Sequence, residues 1–198
     1  MSPGDTRPGL RERKKAKTRA AIQSHALRLF REQGYDATTV QQIIEEVEVS
    51  ESTFFRYFPT KADVVLTDEF DPMIARLFRD QPPEMNAIAA LRVAFKTAFG
   101  QLTAEDELAQ QDRMILIPAV PELRAAMLDQ FASAMGLLGE LVAERSGRSP
   151  DDVAVRSLAG AVVGVAMAAM FMVAEEPSFD LPEKLDQAMA CLEDRFGL

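Results

Sequence analysis

The residues whose types and spacing could do chemistry lie between Thr39 and Lys61, in TVQQIIEEVEVSESTFFRYFPTK. Phe54 and Phe58 are four residues apart and share one face of a short helix. With both turned inward, that helix presents Glu51, Ser52, Thr53, Phe55, Arg56 and Tyr57 outward. Ser and Thr hydroxyls bond to base edges or phosphates, and a Thr methyl packs on thymine. Arg56 and Lys61 can neutralise phosphate. Lys61 stands at a helix start, where backbone N–H groups add to anion attraction. Tyr57 and Thr39 can each donate a hydroxyl to phosphate. Thr39, Ser50 and Thr60 read equally well as helix caps, and capping is compatible with phosphate contact.

These side chains need a scaffold, and the apolar spacing supplies one. Periodicity is helical nearly everywhere, and strand alternation is absent. A first helix is predicted over 15–33, with Ile22, Ala26, Leu29 and Phe30 as its stripe and Gly34 as its stop. Thr39 caps a helix carrying Val40, Ile43, Ile44 and Val47, and Ser50 caps the next, which Pro59 ends. Thr60, with Asp63 three residues on, opens another, predicted to reach Arg79. Two short helices joined by a tight turn are a standard device for placing side chains in a DNA groove. Further helices are predicted over 86–101, over 104–117 with a stop at Pro118, and over 121–145. Ser149-Pro150-Asp151-Asp152 predicts a cap, a proline at N1 and acids in the first turn of a helix reaching Ala174. The last helix starts near Leu181. The expected fold is all-α: an N-terminal three-helix helix-turn-helix domain and a larger C-terminal helical bundle.

Charge divides the chain in the same way. Residues 1–61 carry 11 Lys/Arg and 8 Asp/Glu, a net +3, whereas residues 62–198 carry 11 and 23, a net −12 within a total of −9. Seven basic residues and one acid, Glu12, fall between Arg7 and Arg19. That run reads as a basic footprint on an acidic body, or as a solvated tail. Cys191 is the sole cysteine, so no intramolecular disulfide can form, which fits a reducing cytoplasm. The N-terminus lacks the apolar stretch of a signal peptide. Ser157 to Ala174 carries no charge and is at the lower length limit for a membrane span. It reads as a buried helix or, alternatively, as an anchor. His25 is the sole histidine, and no Gly-rich phosphate loop, nucleophile elbow or Cys/His metal spacing occurs, so neither an enzyme, a metal nor a cofactor is expected.

The segment from Thr18 to Val65 resembles the N-terminal domain of TetR-family transcriptional regulators. The order of signals carries the likeness: a first helix ending in Phe30-Arg31-Glu32-Gln33-Gly34-Tyr35, then Thr38-Thr39-Val40, Ile43, Val49-Ser50, and Thr53-Phe54-Phe55-Arg56-Tyr57-Phe58-Pro59-Thr60-Lys61. The resemblance implies DNA-facing roles for Thr39 and Val40, for Ser50, Glu51, Ser52 and Thr53, for Phe55, Arg56 and Tyr57, and for Lys61. Phe55 stands where the family usually has tyrosine, and Tyr57 where histidine is common. Glu48 occupies a turn position often held by glycine, where a positive φ is costly, and Glu45 and Glu46 add negative charge that must point away from DNA. The implied organisation is a basic flexible arm over 1–14, a helix-turn-helix domain over 15–61, and a ligand-binding and dimerisation domain over 62–198.

The resemblance further implies a homodimer on palindromic operator DNA, most simply a cytoplasmic repressor released by a small, largely apolar effector. An activator, or a regulator sensing an acyl-CoA-like ligand, is the alternative; FFRYFPTKADVV followed by Asp68-Glu69-Phe70-Asp71 resembles members with such ligands. Ten Met and twelve Phe suit an adaptable interior. Pocket candidates are Phe95, Phe99, Arg113, Met114, Ile117, Met127, Phe131, Met135, Met167, Met170 and Phe171. Each apolar one reads also as core, and Arg113 reads as a partner for a ligand carboxylate or phosphate, or for a local acid. Gly160, Gly164 and Ala168 recur every four residues and permit close helix approach, across a dimer or within the bundle. With Leu185, Met189, Leu192 and Phe196 on the last helix they form the expected interface.

Overall fold

The computed structural model describes residues 9–67, 70–176 and 180–196, apart from the side chains of Glu12 and of residues 194–196. Among the described residues the chain forms α-helices and no strands. It divides after Val65 into two compact units.

The first unit holds α1 (Leu10–Gln33), α2 (Val40–Val47), α3 (Glu51–Tyr57) and most of α4 (Lys61–Leu66). Its core is closed by Ile22, Ala26, Leu27 and Phe30 of α1, Ile43 and Ile44 of α2, Phe54 and Phe58 around α3, and Val64 and Val65 of α4. The predicted caps form. The Thr39 hydroxyl accepts from the Gln42 backbone at 3.2 Å, while the Gln42 side chain accepts from the Thr39 backbone at 2.8 Å. Ser50 accepts from the Thr53 N–H at 3.2 Å. Thr60 and Asp63 bond reciprocally at 2.8 and 3.1 Å. Gly34, at φ +90°, ends α1. Glu48 ends α2 at φ 56°, ψ 42°, and the Glu48 and Val49 N–H groups bond back to Glu45 and Ile44 carbonyls. The left-handed turn expected at Glu48 is therefore present, on a residue that carries a Cβ.

The helix α1 begins at Leu10, five residues before the predicted start. Residues 10–14 are thus helical, although they show no apolar period. Arg, Lys and Glu are good helix formers, and the long helix behind them supplies the nucleus that an isolated segment would lack.

The second unit holds α5 (Phe70–Arg79), α6 (Ala87–Gln101), α7 (Ala104–Ala119), α8 (Pro121–Ser146), α9 (Val153–Glu175) and α10 (Leu181–Phe196). A single apolar cluster joins α5, α6, α8, α9 and α10. The helix predicted from Thr60 to Arg79 is two helices, α4 and α5. Pro118 lies inside α7, one residue before its end, where the hydrogen bond that proline cannot make is lost at the terminus rather than mid-helix. The N-cap of α9 is Asp152, not Ser149: Asp152 accepts from the Ala154 N–H at 2.8 Å, and Ser149 instead closes the preceding turn by accepting from the Asp151 N–H at 3.2 Å.

Two arginines tie distant elements. Arg145 of α8 donates to the carbonyls of Phe78, Gln81, Pro82 and Met85 at 2.7–3.1 Å and stacks over the Phe78 ring at 4.6 Å. It thereby ties the last turn of α5 and the loop that follows it to α8. Arg92 of α6 grips Asp186 of α10 through two bonds, at 2.8 and 3.1 Å, and Glu193 at 2.6 Å. The hydrogen bonds from Arg92 hold the Asp186 carboxyl below its usual pKa. The uncharged stretch is the centre of α9, whose 23 residues are long and apolar enough to cross a membrane. In the fold, Val155, Leu158, Ala159, Val162 and Val163 of that helix join the common core.

Candidate nucleic-acid interface

Phe54 and Phe58 are fully buried, which fixes the rotation of α3 and turns its other side chains out. Thr39, Ser50, Glu51, Ser52, Phe55 and Arg56 are exposed, and Val40, Thr53, Tyr57 and Lys61 are half-buried. None of the ten residues expected to face DNA is spent in the core. At the start of α3 the Ser50 hydroxyl lies 2.8 Å from that of Thr53 and 3.1 Å from that of Ser52. Two hydroxyls gathered on a third form a surface that donates or accepts as the opposing group requires. The Arg56 guanidinium lies over the Tyr57 ring at 5.2 Å, a contact that orders the side chain and leaves its charge outward. The Phe55 ring meets Phe54 edge-on at 5.3 Å and remains 42% exposed, an apolar surface where a hydroxyl is missing.

Lys61 differs from the expectation of a plain phosphate contact. Its ammonium donates to the carbonyls of Tyr35 and Thr38 at 3.0 and 3.1 Å and lies 4.0 Å from the Tyr35 ring centre. Two of its three N–H bonds hold the loop that delivers Thr39, leaving one to point elsewhere. The acids of α2 are also engaged. Glu46 pairs with Arg28 of α1 and lies 3.6 Å from His25, and Glu45 accepts from Gln41 at 2.8 Å. Local spacing could not show the Arg28–Glu46 tie, because its partners are eighteen residues apart. Thr38 is part of the motif but its role was not legible from spacing: its buried hydroxyl donates to the Gly34 carbonyl at 2.8 Å and fixes the loop before α2. Its neighbour Thr39 carried the visible signal.

In the second unit the eleven pocket candidates do not converge on one cavity. Phe99 and Met114 line a cleft of about 280 Å³ between the end of α6, α7, the end of α9 and the start of α10. Phe95 lines a separate cleft of about 260 Å³ between α6 and α10, with Arg92, Lys96 and Asp186 at its rim. Met127 and Met170 are buried, Ile117 and Met167 are half-buried, and Phe131 packs on the core. Met135 and Phe171 are 41% and 38% exposed and line neither cleft. Arg113 is 8% exposed beside the buried Asp112, donates to the Gln110 side chain at 3.4 Å, and lines neither cleft.

The expected interface divides too. A Cβ at Gly164 would meet nothing within 4 Å, one at Gly160 would reach only the Met135 sulfur at 4.0 Å, and Ala168 is exposed. Gly160 and Gly164 are half-buried, so this stripe of α9 is partly open to solvent, with exposed Phe171 and Met172 after it. Leu185 and Met189, by contrast, are 5% and 0% exposed within the single chain. They belong to the core rather than to an interface, because the apolar face of α10 is consumed by α6 and α9. Leu192 packs against the same core, and the side chain of Phe196 lies outside the described residues.

Comparison with known proteins agrees with this geometry. Residues 22–67 match the family model described as bacterial regulatory proteins, tetR family, and residues 85–197 match that described as the MftR C-terminal domain. The HTH-type transcriptional regulator TcmR of Streptomyces glaucescens is 36% identical over 152 residues, spanning 73% of this chain and 67% of that protein. The protein named as mycofactocin biosynthesis transcriptional regulator MftR, from Mycobacterium tuberculosis, is 26% identical over 94% of this chain and 93% of its own. Among solved structures, a TetR-family regulator from Syntrophomonas wolfei superposes with a TM-score of 0.69 at 15% identity, over 92% of this chain and 96% of its own. The SmeT–triclosan complex gives 0.60 at 20% identity, over 88% and 91%. With its helix-turn-helix unit and its C-terminal domain both matched, the chain belongs to the TetR family of transcriptional regulators.

Proposed function

We propose that this TetR-family regulator is a cytoplasmic homodimeric repressor that grips a palindromic operator through α2 and α3 and lets go when a small effector occupies its C-terminal unit. The observation that carries the DNA reading is the outward face of α3. Its hydroxyl trio, Tyr57-ordered Arg56 and exposed Phe55 all stand opposite a buried Phe54–Phe58 spine. Such a face combines phosphate contacts, which position, with hydroxyl and apolar contacts, which specify. The exposed basic residues at the start of α1 supply further charge. Two-fold pairing through the partly open stripe of α9 would set two copies of α3 about one turn of DNA apart, roughly 34–36 Å.

The effector part of the reading rests on the cleft between α6, α7, α9 and α10, whose floor is apolar. A ligand there acts by population shift, favouring bundle shapes in which the two recognition helices no longer match successive grooves. The likeness to a structure that holds triclosan supports this fold as a host for small apolar molecules. Fluorescence anisotropy with labelled DNA from upstream of the protein's own gene tests the proposal. Binding that falls steeply with salt, and that Arg56→Ala weakens, supports it; Arg56→Ala at wild-type affinity would remove Arg56 from the interface.

A further inference from the structure

We propose that the cleft bounded by α6, α7, α9 and α10 selects a compact organic cation with an apolar body. The inference rests on the reading of that cleft as the effector site and adds the ligand's charge. One face of α7, at the spacing i, i+3, i+4, i+7, supplies Glu107, Gln110, Gln111 and Met114 to the wall. Asp180, just before α10, and Glu107 are both exposed and lie at the open side of the cleft, so among the described residues the polar lining comprises two carboxylates and two amides, with no Lys or Arg. Phe99 adds an aromatic ring, fixed by Phe70 at a centroid distance of 4.9 Å. A carboxylate and an aromatic face on one cavity are complementary to an ammonium group and poorly complementary to an anion.

Two positive features near the cleft do not reverse that sign. The N-terminus of α10 opens toward it, but the Asp180 carboxylate already accepts from the Glu183 N–H at 3.1 Å, and Pro182 has no N–H to offer. The helix end thus carries its own anion. Arg113 occupies the adjoining face of α7 and donates to the Gln110 side chain instead of lining the wall. The surrounding chain adds to the preference, because residues 62–198 carry a net charge of −12 that raises the local concentration of cations. A volume of about 280 Å³ falls just below the range of roughly 300–1,000 Å³ typical for drug-sized ligands. It fits one ring and an ammonium head, and it is too small to enclose a long acyl thioester.

Calorimetry on the full-length protein tests this with two probes of similar size, benzyltrimethylammonium and phenylacetate, with DNA binding measured on the same preparation. The cation is expected to bind, more weakly as salt rises, and phenylacetate is not. The pair Glu107→Gln and Asp180→Asn keeps side-chain shape and the α10 cap, since Asn caps as well as Asp. It should weaken the cation by about tenfold, or ~1.4 kcal/mol. Glu107→Lys should abolish cation binding and admit phenylacetate. Phenylacetate binding as tightly as the cation, cation affinity unchanged in the double variant, or no cation binding by the wild type would each overturn the proposal. DNA binding separates the two levels: a protein that binds DNA but not the cation loses only the ligand assignment, whereas one that binds no DNA loses the regulator reading.

Discussion

Glu48 holds a left-handed conformation that costs an L-residue of order 1 kcal/mol and glycine almost nothing. Glu48→Gly is therefore expected to raise the stability of the DNA-binding unit by up to about 1 kcal/mol in urea unfolding, reduced by glycine's greater freedom in the unfolded chain. It also removes a carboxylate from the turn before α3, so it should not weaken DNA binding. Arg56 and Lys61, alike in charge, are expected to behave differently. Arg56 stacks on Tyr57 and has no ion pair among the described residues, so Arg56→Ala should leave the melting temperature unchanged while lowering DNA affinity and cutting the salt slope by about one. Lys61 holds two backbone carbonyls in the loop ahead of Thr39, so Lys61→Met should cost about 2 kcal/mol of stability as well as affinity. Thermal melts and anisotropy titrations on both variants separate these outcomes. The outward residues of α3 were legible because Phe54 and Phe58 fix its rotation from spacing alone. The commitment of Lys61 was not, because its acceptors are backbone groups 23 and 26 residues away.

Helix ends and helix ties follow the same division between local and distant causes. The caps at Thr39, Ser50 and Thr60 and the stop at Gly34 were readable, since each involves groups within four residues. Arg145 and Arg92 were invisible, because their partners lie 60 or more residues away and no periodicity points to them. Leu185 and Met189 show the complementary limit: spacing marks an apolar face but does not say whether α6 and α9 or a second subunit covers it. Arg145 ties the end of α5 and the loop after it with four carbonyl bonds, so Arg145→Ala should destabilise the second unit by roughly 2–4 kcal/mol, measured by urea unfolding. The Arg92 grip gives a pH signature. Because Asp186 has a folded pKa below its unfolded value of about 3.9, its contribution is fully present above that pH and is lost as pH falls through the folded value. Wild type and Asp186→Asn should accordingly differ in melting temperature at neutral pH, and the difference should close only in strong acid.

At the scale of the whole molecule, an acidic C-terminal unit and a basic helix start divide the work, and charge counting alone exposed that division. The proposed pairing through the α9 stripe would tie it to a two-fold assembly. Gly164 has open space beyond it in the single chain, so Gly164→Leu should fold with unchanged helicity and yet disturb pairing. Sedimentation should then show monomer. Operator affinity should fall by about 10²-fold or more as two tethered half-site contacts become independent. Whether α3 reads DNA as one half of a symmetric pair can be decided by a single titration. Full-length protein is titrated onto labelled upstream DNA between 50 and 200 mM salt, alongside a scrambled duplex of equal length. Two chains per site, a preference for the upstream sequence, and an affinity that falls by about 10³-fold or more across that range are expected when six or more phosphates are contacted. Equal binding to both duplexes, or an affinity indifferent to salt, would contradict it.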